Sequence, residues 1–259
     1  MPEGRRRAGG ATVVPGAYSR PRELTRIPVR LLCLLILLLS LPAHAGDTLR
    51  VAVAANFRAV LETLAPDFEA ADGTALSLSS ASTGVLYSQI RHGAPFDVLL
   101  AADSERPALL EAEGLGDQRS CYALGQLVLV GSDSLDALAN PALSLAIANP
   151  ATAPYGLAAG QVLARPAYAA GQGRKQVQGN NVVQTWQFWH SGSVDLALVP
   201  RSLAGDRGIP VPAAWHDPLR QEALILNSER STAARRFLAW LGSPPVQARL
   251  QAAGYGPCP

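Results

Sequence analysis

The residues best placed to do chemistry in this chain are neutral. Four short stretches share one layout, in which an apolar segment runs into small or neutral polar residues and then into a helix start. They are Ala55-Asn56, Ser82-Thr83-Gly84, Pro154-Tyr155-Gly156 and Asn180-Asn181-Val182. Hydroxyls, carboxamides and the unpaired N–H groups of a first helical turn are all hydrogen-bond donors. Together with the positive end of a helix dipole they make an anion site that needs no formal cation. None of the four stretches contains Lys or Arg, Arg58 being the nearest. One polar residue at a helix start is ordinary capping; four in one chain form a candidate constellation.

The other chemistry-bearing residues are less organised. Asp97 and Asp103 sit at expected strand ends beside turns with no His or Cys to join them, so they read as caps rather than metal ligands. His92, His190 and His216 lack the spacing of a metal site. The tyrosines of the chain body include no adjacent pair, which weakens a ferric-ion reading, and Trp186, Phe188 and Trp189 read as packing. There is no P-loop, dinucleotide fingerprint or nucleophile elbow. A hydrolase would have to use Ser82 or Ser193 with a histidine in reach, and neither serine has a recognisable motif around it.

The elements that must position the four stretches follow from periodicity. Residues 47–54 alternate as a first strand. Phe57, Val60, Leu61, Leu64 and Phe68 then recur at helical spacing up to Asp72-Gly73, with Asn56 as the expected N-cap. A strand at 76–79, a helix through Val85, Leu86 and Ile90, a buried strand at 96–101 and a helix over 104–113 follow. Further strands are expected at 126–131, 145–148, 194–199 and 223–226, and helices at 155–163, from Val182 through Trp189, at 231–241 and at 245–251. The glycine-rich stretch 171–179 reads as a loop. Alternating β and α elements predict an α/β fold of two lobes, each a mostly parallel sheet flanked by helices, with a ligand cleft between them. The lobes are 46–124 and 125–216, with 217–259 returning to the first.

Composition sets the class. The chain has 259 residues, 48% hydrophobic and 16% charged, enough apolar content for a large core. Its net charge of +2 argues against a nucleic-acid partner. Seven arginines fall within residues 1–45, leaving 15 basic and 18 acidic residues in the rest, and Lys175 is the sole lysine. Residues 1–45 read as a signal peptide with a long n-region. Arg26 and Arg30 precede an apolar run of about eleven residues, too short for a ~30 Å bilayer core, and Ala43-His44-Ala45 offers cleavage before Gly46. Cys33 lies inside that run, out of place for lipidation. Cys121 and Cys258 remain, and an oxidising exported compartment favours their pairing.

Several stretches carry a family resemblance: Val51-Ala-Val-Ala-Ala-Asn-Phe57, Ser82-Thr-Gly-Val-Leu-Tyr-Ser-Gln-Ile90, Gly93-Ala-Pro-Phe-Asp-Val-Leu-Leu-Ala-Ala-Asp103, Ala153-Pro-Tyr-Gly156 and Gly179-Asn-Asn-Val-Val183. In these the chain resembles the periplasmic molybdate-binding proteins of bacterial ABC importers, over essentially all of residues 47–255. The resemblance implies a type II periplasmic-binding-protein fold that holds molybdate or tungstate by neutral hydrogen bonds, with no cofactor and no chemical step. It implies that Asn56 faces the oxyanion with side chain and N–H, and that Thr83, with Ser82 as its rival, supplies a hydroxyl. Tyr155 and Val182, with Asn181 beside it, would give mainly backbone N–H. Asn56, Thr83, Tyr155 and Val182 would thus meet the metal only through molybdate oxygens. Some members have a ligand-donating tyrosine where this chain has Pro200. The partners implied are permease subunits at the inner membrane, and the protein would be a periplasmic monomer. The alternative is the same fold tuned to sulfate, phosphate or a small carboxylate.

Overall fold

A computed structural model describes residues 48–259. The expected signal peptide, its cleavage point after Ala45, and Cys33 lie outside the described residues. In chain order the elements are β1 (Thr48–Ala54), α1 (Ala55–Asp72), β2 (Ala75–Ala81), α2 (Thr83–Arg91), β3 (Val98–Leu100), α3 (Glu105–Ala112), β4 (Gly116–Leu124), β5 (Leu127–Val130), β6 (Leu145–Ala148), α4 (Pro154–Leu163), β7 (Gln176–Gly179), α5 (Val182–His190), β8 (Leu196–Pro200), α6 (Arg201–Ala204), β9 (Ile209–Pro210), β10 (Arg220–Leu226), α7 (Ser231–Leu241) and α8 (Pro244–Ala252). Helix α1 ends where the sequence demands it, at Gly73, whose φ of 79° is left-handed and whose N–H caps Glu69 O.

Two five-stranded sheets organise these elements, in the orders β2-β1-β3-β10-β4 and β7-β6-β8-β5-β9. The α/β class and the helix-flanked, mostly parallel sheets match expectation, with one strand of each sheet running against the other four. In the first sheet β1 runs parallel to β2 and β3, while β10 is antiparallel to β3 and β4. In the second, β6 is parallel to β7 and β8, while β5 is antiparallel to β8 and β9. Each sheet is therefore mixed. The chain enters the second sheet at β5 and returns to the first at β10, and both crossing strands run against their neighbours. Strands β4 and β7 were not expected. Residues 117–120 of β4 are exposed and polar, and Gln118 takes a φ of 56°, so no alternation marks the strand. Strand β7 is a short edge strand after a glycine-rich turn, with Gln176 and Gln178 exposed.

Period-two alternation gives each sheet two buried faces. Val51 and Val53 face Phe57, Leu61, Phe68 and Phe237, whereas Ala52 and Leu99 face Leu86, Leu110 and Leu224. In the second sheet Leu127, Leu129, Ile147 and Leu198 take one face, and Val128, Val130, Ala146 and Val199 the other. Cys121 of β4 is joined by a disulfide to Cys258, a sequence separation of 137, which fastens the C-terminal tail to the first sheet.

Candidate functional site

Helix α1 starts immediately after β1, with Ala54 as N-cap and no side-chain cap. Asn56 is its second residue, 2% exposed, and does not cap it. Its Nδ2 donates to Gln221 Oε1 at 2.9 Å and to Tyr255 Oη at 3.2 Å. Its carbonyl accepts from Tyr255 Oη at 2.8 Å and Ser202 Oγ at 3.1 Å. This corrects the expectation of an N-cap whose side chain faces an anion: both carboxamide N–H groups are committed inside the protein. What Asn56 retains is its backbone N–H, one of the first-turn groups with no intrahelical acceptor.

Helix α2 starts at Thr83, with Ser82 extended at the N-cap position. Thr83 Oγ1 accepts from the Ala102 N–H at 3.0 Å, which leaves its own hydroxyl proton to donate. Ser82 is 4% exposed, yet its buried Oγ has no protein partner and does not cap the helix. A buried hydroxyl left unpaired costs roughly 1–3 kcal/mol, so this atom is the least satisfied group at the four helix starts. The next residue makes a close approach. Gly84 N–H donates to Thr152 O at 2.8 Å, and a Cβ at Gly84 would lie 2.9 Å from Thr152 Cα. Only glycine lets these two backbones touch.

Two helix starts come from the second sheet. Tyr155 is the second residue of α4, behind Ala153 and Pro154, and this start also lacks a side-chain cap. Its ring is 2% exposed, and Oη accepts from Gln221 Nε2 at 3.0 Å. Burial pushes the phenol pKa well up, so it stays neutral. Val182 opens α5 and is 4% exposed. Asn181 does cap its helix: Oδ1 accepts from Val183 and Gln184 N–H, each at 3.0 Å. Gln184 Oε1 in turn accepts from Asn180 N–H at 2.7 Å, a reciprocal capping arrangement. The Asn181 carboxamide oxygen therefore serves the helix, and the Val182 N–H is left ahead of the capped pair.

These starts converge. Ala54, Ala55 and Ala102 of the first sheet share one packed cluster with Ala148, Ala153, Tyr155 and Val182 of the second. Arg106, ion-paired to Asp103, donates across to Ala151 O at 3.1 Å. A cavity of about 310 Å³ is lined by Ala55, Arg58, Ser80, Asn180, Asn181 and Gln184 among others. Arg58, the cation in that lining, is tied to Glu62 at 2.8 Å. Pro200 ends β8 and precedes α6, whose Ser202 hydroxyl reaches Asn56 O.

The residues set aside have structural partners. Asp97 is fully buried and joins β3 to β1, accepting from Arg50 N at 2.7 Å and Nε at 3.0 Å; it is an ion-pair partner, not a cap. Asp103 Oδ1 accepts from Arg106 N–H at 3.1 Å at the start of α3. Ser193 Oγ lies against Ser191 Oγ, and His92 and His216 bond to backbone carbonyls, so among the described residues no hydrogen bond joins a histidine to Ser82 or Ser193. Among the described residues, no group of three or more His, Cys, Asp or Glu is placed to hold a metal. Sequence reasoning missed Gln221, Tyr255 and Ser202, which lie far from the four stretches and carry no local motif.

Comparison with known proteins identifies the family. Residues 49–256 match the family model described as bacterial extracellular solute-binding protein. The chain is 39% identical over 236 residues to the molybdate-binding protein ModA of Azotobacter vinelandii, covering 85% of this chain and 93% of that one. It is 31% identical to the molybdate-binding protein ModA of Rhodobacter capsulatus, covering 85% and 92%. The solved Azotobacter vinelandii periplasmic molybdate-binding protein superposes with a TM-score of 0.75 at 35% identity, over 82% of this chain and all of that one. The chain therefore belongs to the bacterial extracellular solute-binding protein family, alongside these molybdate-binding ModA proteins.

Proposed function

We propose that this protein binds molybdate, and tungstate with it, between its two sheets and delivers the ion to an ABC permease at the inner membrane. The observation that carries the reading is the Ser82 hydroxyl, buried and without a protein partner at the start of α2. An oxyanion beside it would supply the missing acceptor. The Thr83 hydroxyl and the backbone N–H groups of Asn56, Tyr155 and Val182 complete a set made only of donors, and the dianion needs no cofactor.

The chemistry follows from that set. Molybdate offers only acceptors, and each N–H or O–H aimed at it makes a short, charge-assisted bond. Four helix starts add the positive ends of their dipoles. Protonated phosphate is rejected because its O–H would face another donor. Sulfate has the same charge and shape, so it is excluded by size: the Gly84–Thr152 contact limits how far the sheets approach, and a smaller ion leaves donors on one side unsatisfied. Residues 1–45 would export the chain to the periplasm, where it acts as a monomer and catalyses no reaction.

Thermal melting tests the reading. Molybdate at about 1,000 times its dissociation constant should add about 4 kcal/mol to stability. In a body of this size that raises the melting temperature by roughly 10 °C, with sulfate at the same concentration having no effect. A rise with sulfate, phosphate or a small carboxylate and none with molybdate would overturn it in favour of another anion.

A further inference from the structure

Gln221 occupies the return crossing of the chain, two residues after Pro218-Leu219 and at the start of β10. The outward crossing lies beside it: Gly125 N–H, between β4 and β5, donates to Leu219 O at 2.8 Å. Gln221 is fully buried, and both ends of its carboxamide are engaged. Oε1 accepts from Asn56 Nδ2 at 2.9 Å and lies 2.9 Å from Tyr122 Oη. Nε2 donates to Tyr155 Oη at 3.0 Å. One side chain thus bonds to a residue in the first turn of α1 and to a residue in the first turn of α4, which belong to different sheets. Gly125 makes room for this. A Cβ there would meet Tyr155 Oη and sit 2.8 Å from Gln221 Nε2.

Resting on the proposed oxyanion site, we infer that Gln221 is a positioning residue that sets the spacing between the Asn56 and Tyr155 N–H groups and so tunes the site to the size of its ion. Its place at the crossing fits that role. Motion of one sheet against the other displaces atoms least near the crossing strands, so a bond there can hold register while the site opens and closes. A carboxamide suits it, because a neutral group carries a donor and an acceptor at fixed separation and needs no charge in a buried place. Tyr122 and Tyr155 keep their protons, since burial pushes both phenols far up.

The test is a double-mutant cycle read by molybdate affinity and by melting in the absence of ligand. Gln221→Leu and Tyr155→Phe cut the same bond, the second by removing one oxygen from an otherwise unchanged ring. Each should weaken molybdate binding tenfold or more, and the double variant should be little worse than either single one. Tyr122→Phe also takes a partner from Gln221 but lies wholly within the first sheet. It should lower the melting temperature and leave affinity within about twofold. Unchanged molybdate affinity in Tyr155→Phe, or additive losses in the double variant, would overturn the positioning role and leave the oxyanion reading standing. If the unaltered protein fails to bind molybdate, both fall together.

Discussion

The two sheets share a plan but are held together differently. Among the described residues every ion pair lies in the first sheet and its helices or the segments beside them, including Arg50–Asp97, Arg119–Glu222, Arg236–Asp72 and Arg249–Asp67. The disulfide lies there too. The second sheet is held by apolar packing and by polar side chains bonding to backbone, as Asn181 and Ser144 do. The proposed site divides along the same line. Its first half would offer the Ser82 and Thr83 hydroxyls with the Asn56 N–H, on a cross-linked frame; its second would offer only backbone N–H, from helices whose side chains do other work. Direct contact with the ion should therefore depend on side-chain identity in the first half and on backbone N–H in the second, where the Tyr155 side chain acts only through Gln221.

That contrast can be broken at several points. Replacing Cys121 and Cys258 with serine opens a loop of 137 residues and should cost about 4 kcal/mol of stability, read by denaturant unfolding, with molybdate affinity largely kept. Asp97→Ala comes next, at about 3 kcal/mol, discounted from the full value of a buried pair because the Arg50 side chain is 36% exposed. Burial pushes the Asp97 carboxyl up, but its hydrogen bonds to Arg50 and Ser228, with the Arg50 charge, together more than offset this and hold it below 3.8. Its contribution is thus present above that value and lost as pH falls through the lower folded one. The variant should lose less stability than the unaltered protein as pH drops below about 4, in melts across an acid series.

Smaller effects separate the halves within the site. Ser82→Ala removes one bond to a charged acceptor, worth about 2 kcal/mol or roughly thirtyfold in molybdate affinity, with stability unchanged or improved because an unpaired buried hydroxyl disappears. At Val182, the first residue of α5, proline keeps the helix but deletes the N–H. Val182→Pro should cost about tenfold in affinity, about 1.4 kcal/mol, whereas Val182→Ala should leave it within about twofold. Equal losses from both would mean that the second half contributes through its side chain. Asn181→Ala should lower stability by about 1 kcal/mol through loss of the cap, with a lesser effect on binding.

Much of this was legible in the sequence because strong periodicity and local motifs coincide. Val51–Ala54 and Val98–Leu100 could only be buried strands, and the helix starts after β1, β2 and β6 declared themselves by small polar residues. Strand β4 escaped because residues 117–120 look outward. The mostly parallel direction was legible from the alternation of β and α elements, but the one reversed strand in each sheet was not, since an apolar run at β5 or β10 reads the same either way. In the site, Thr83 and Val182 are helix starts as the sequence suggested, but the Asn56 and Asn181 carboxamides are both committed within the protein. Sequence shows that a carboxamide stands at a helix start; which way it turns depends on partners such as Gln221 and Tyr255, 165 and 199 residues away.

The central claim is that a cleft of neutral donors selects one dianion by size. Calorimetric titration of the purified protein with molybdate, tungstate and sulfate in turn tests it most directly. The account predicts tight one-to-one binding of the first two, each displacing the other, and no heat with sulfate. Sulfate binding at comparable affinity, or no binding of molybdate, would contradict it.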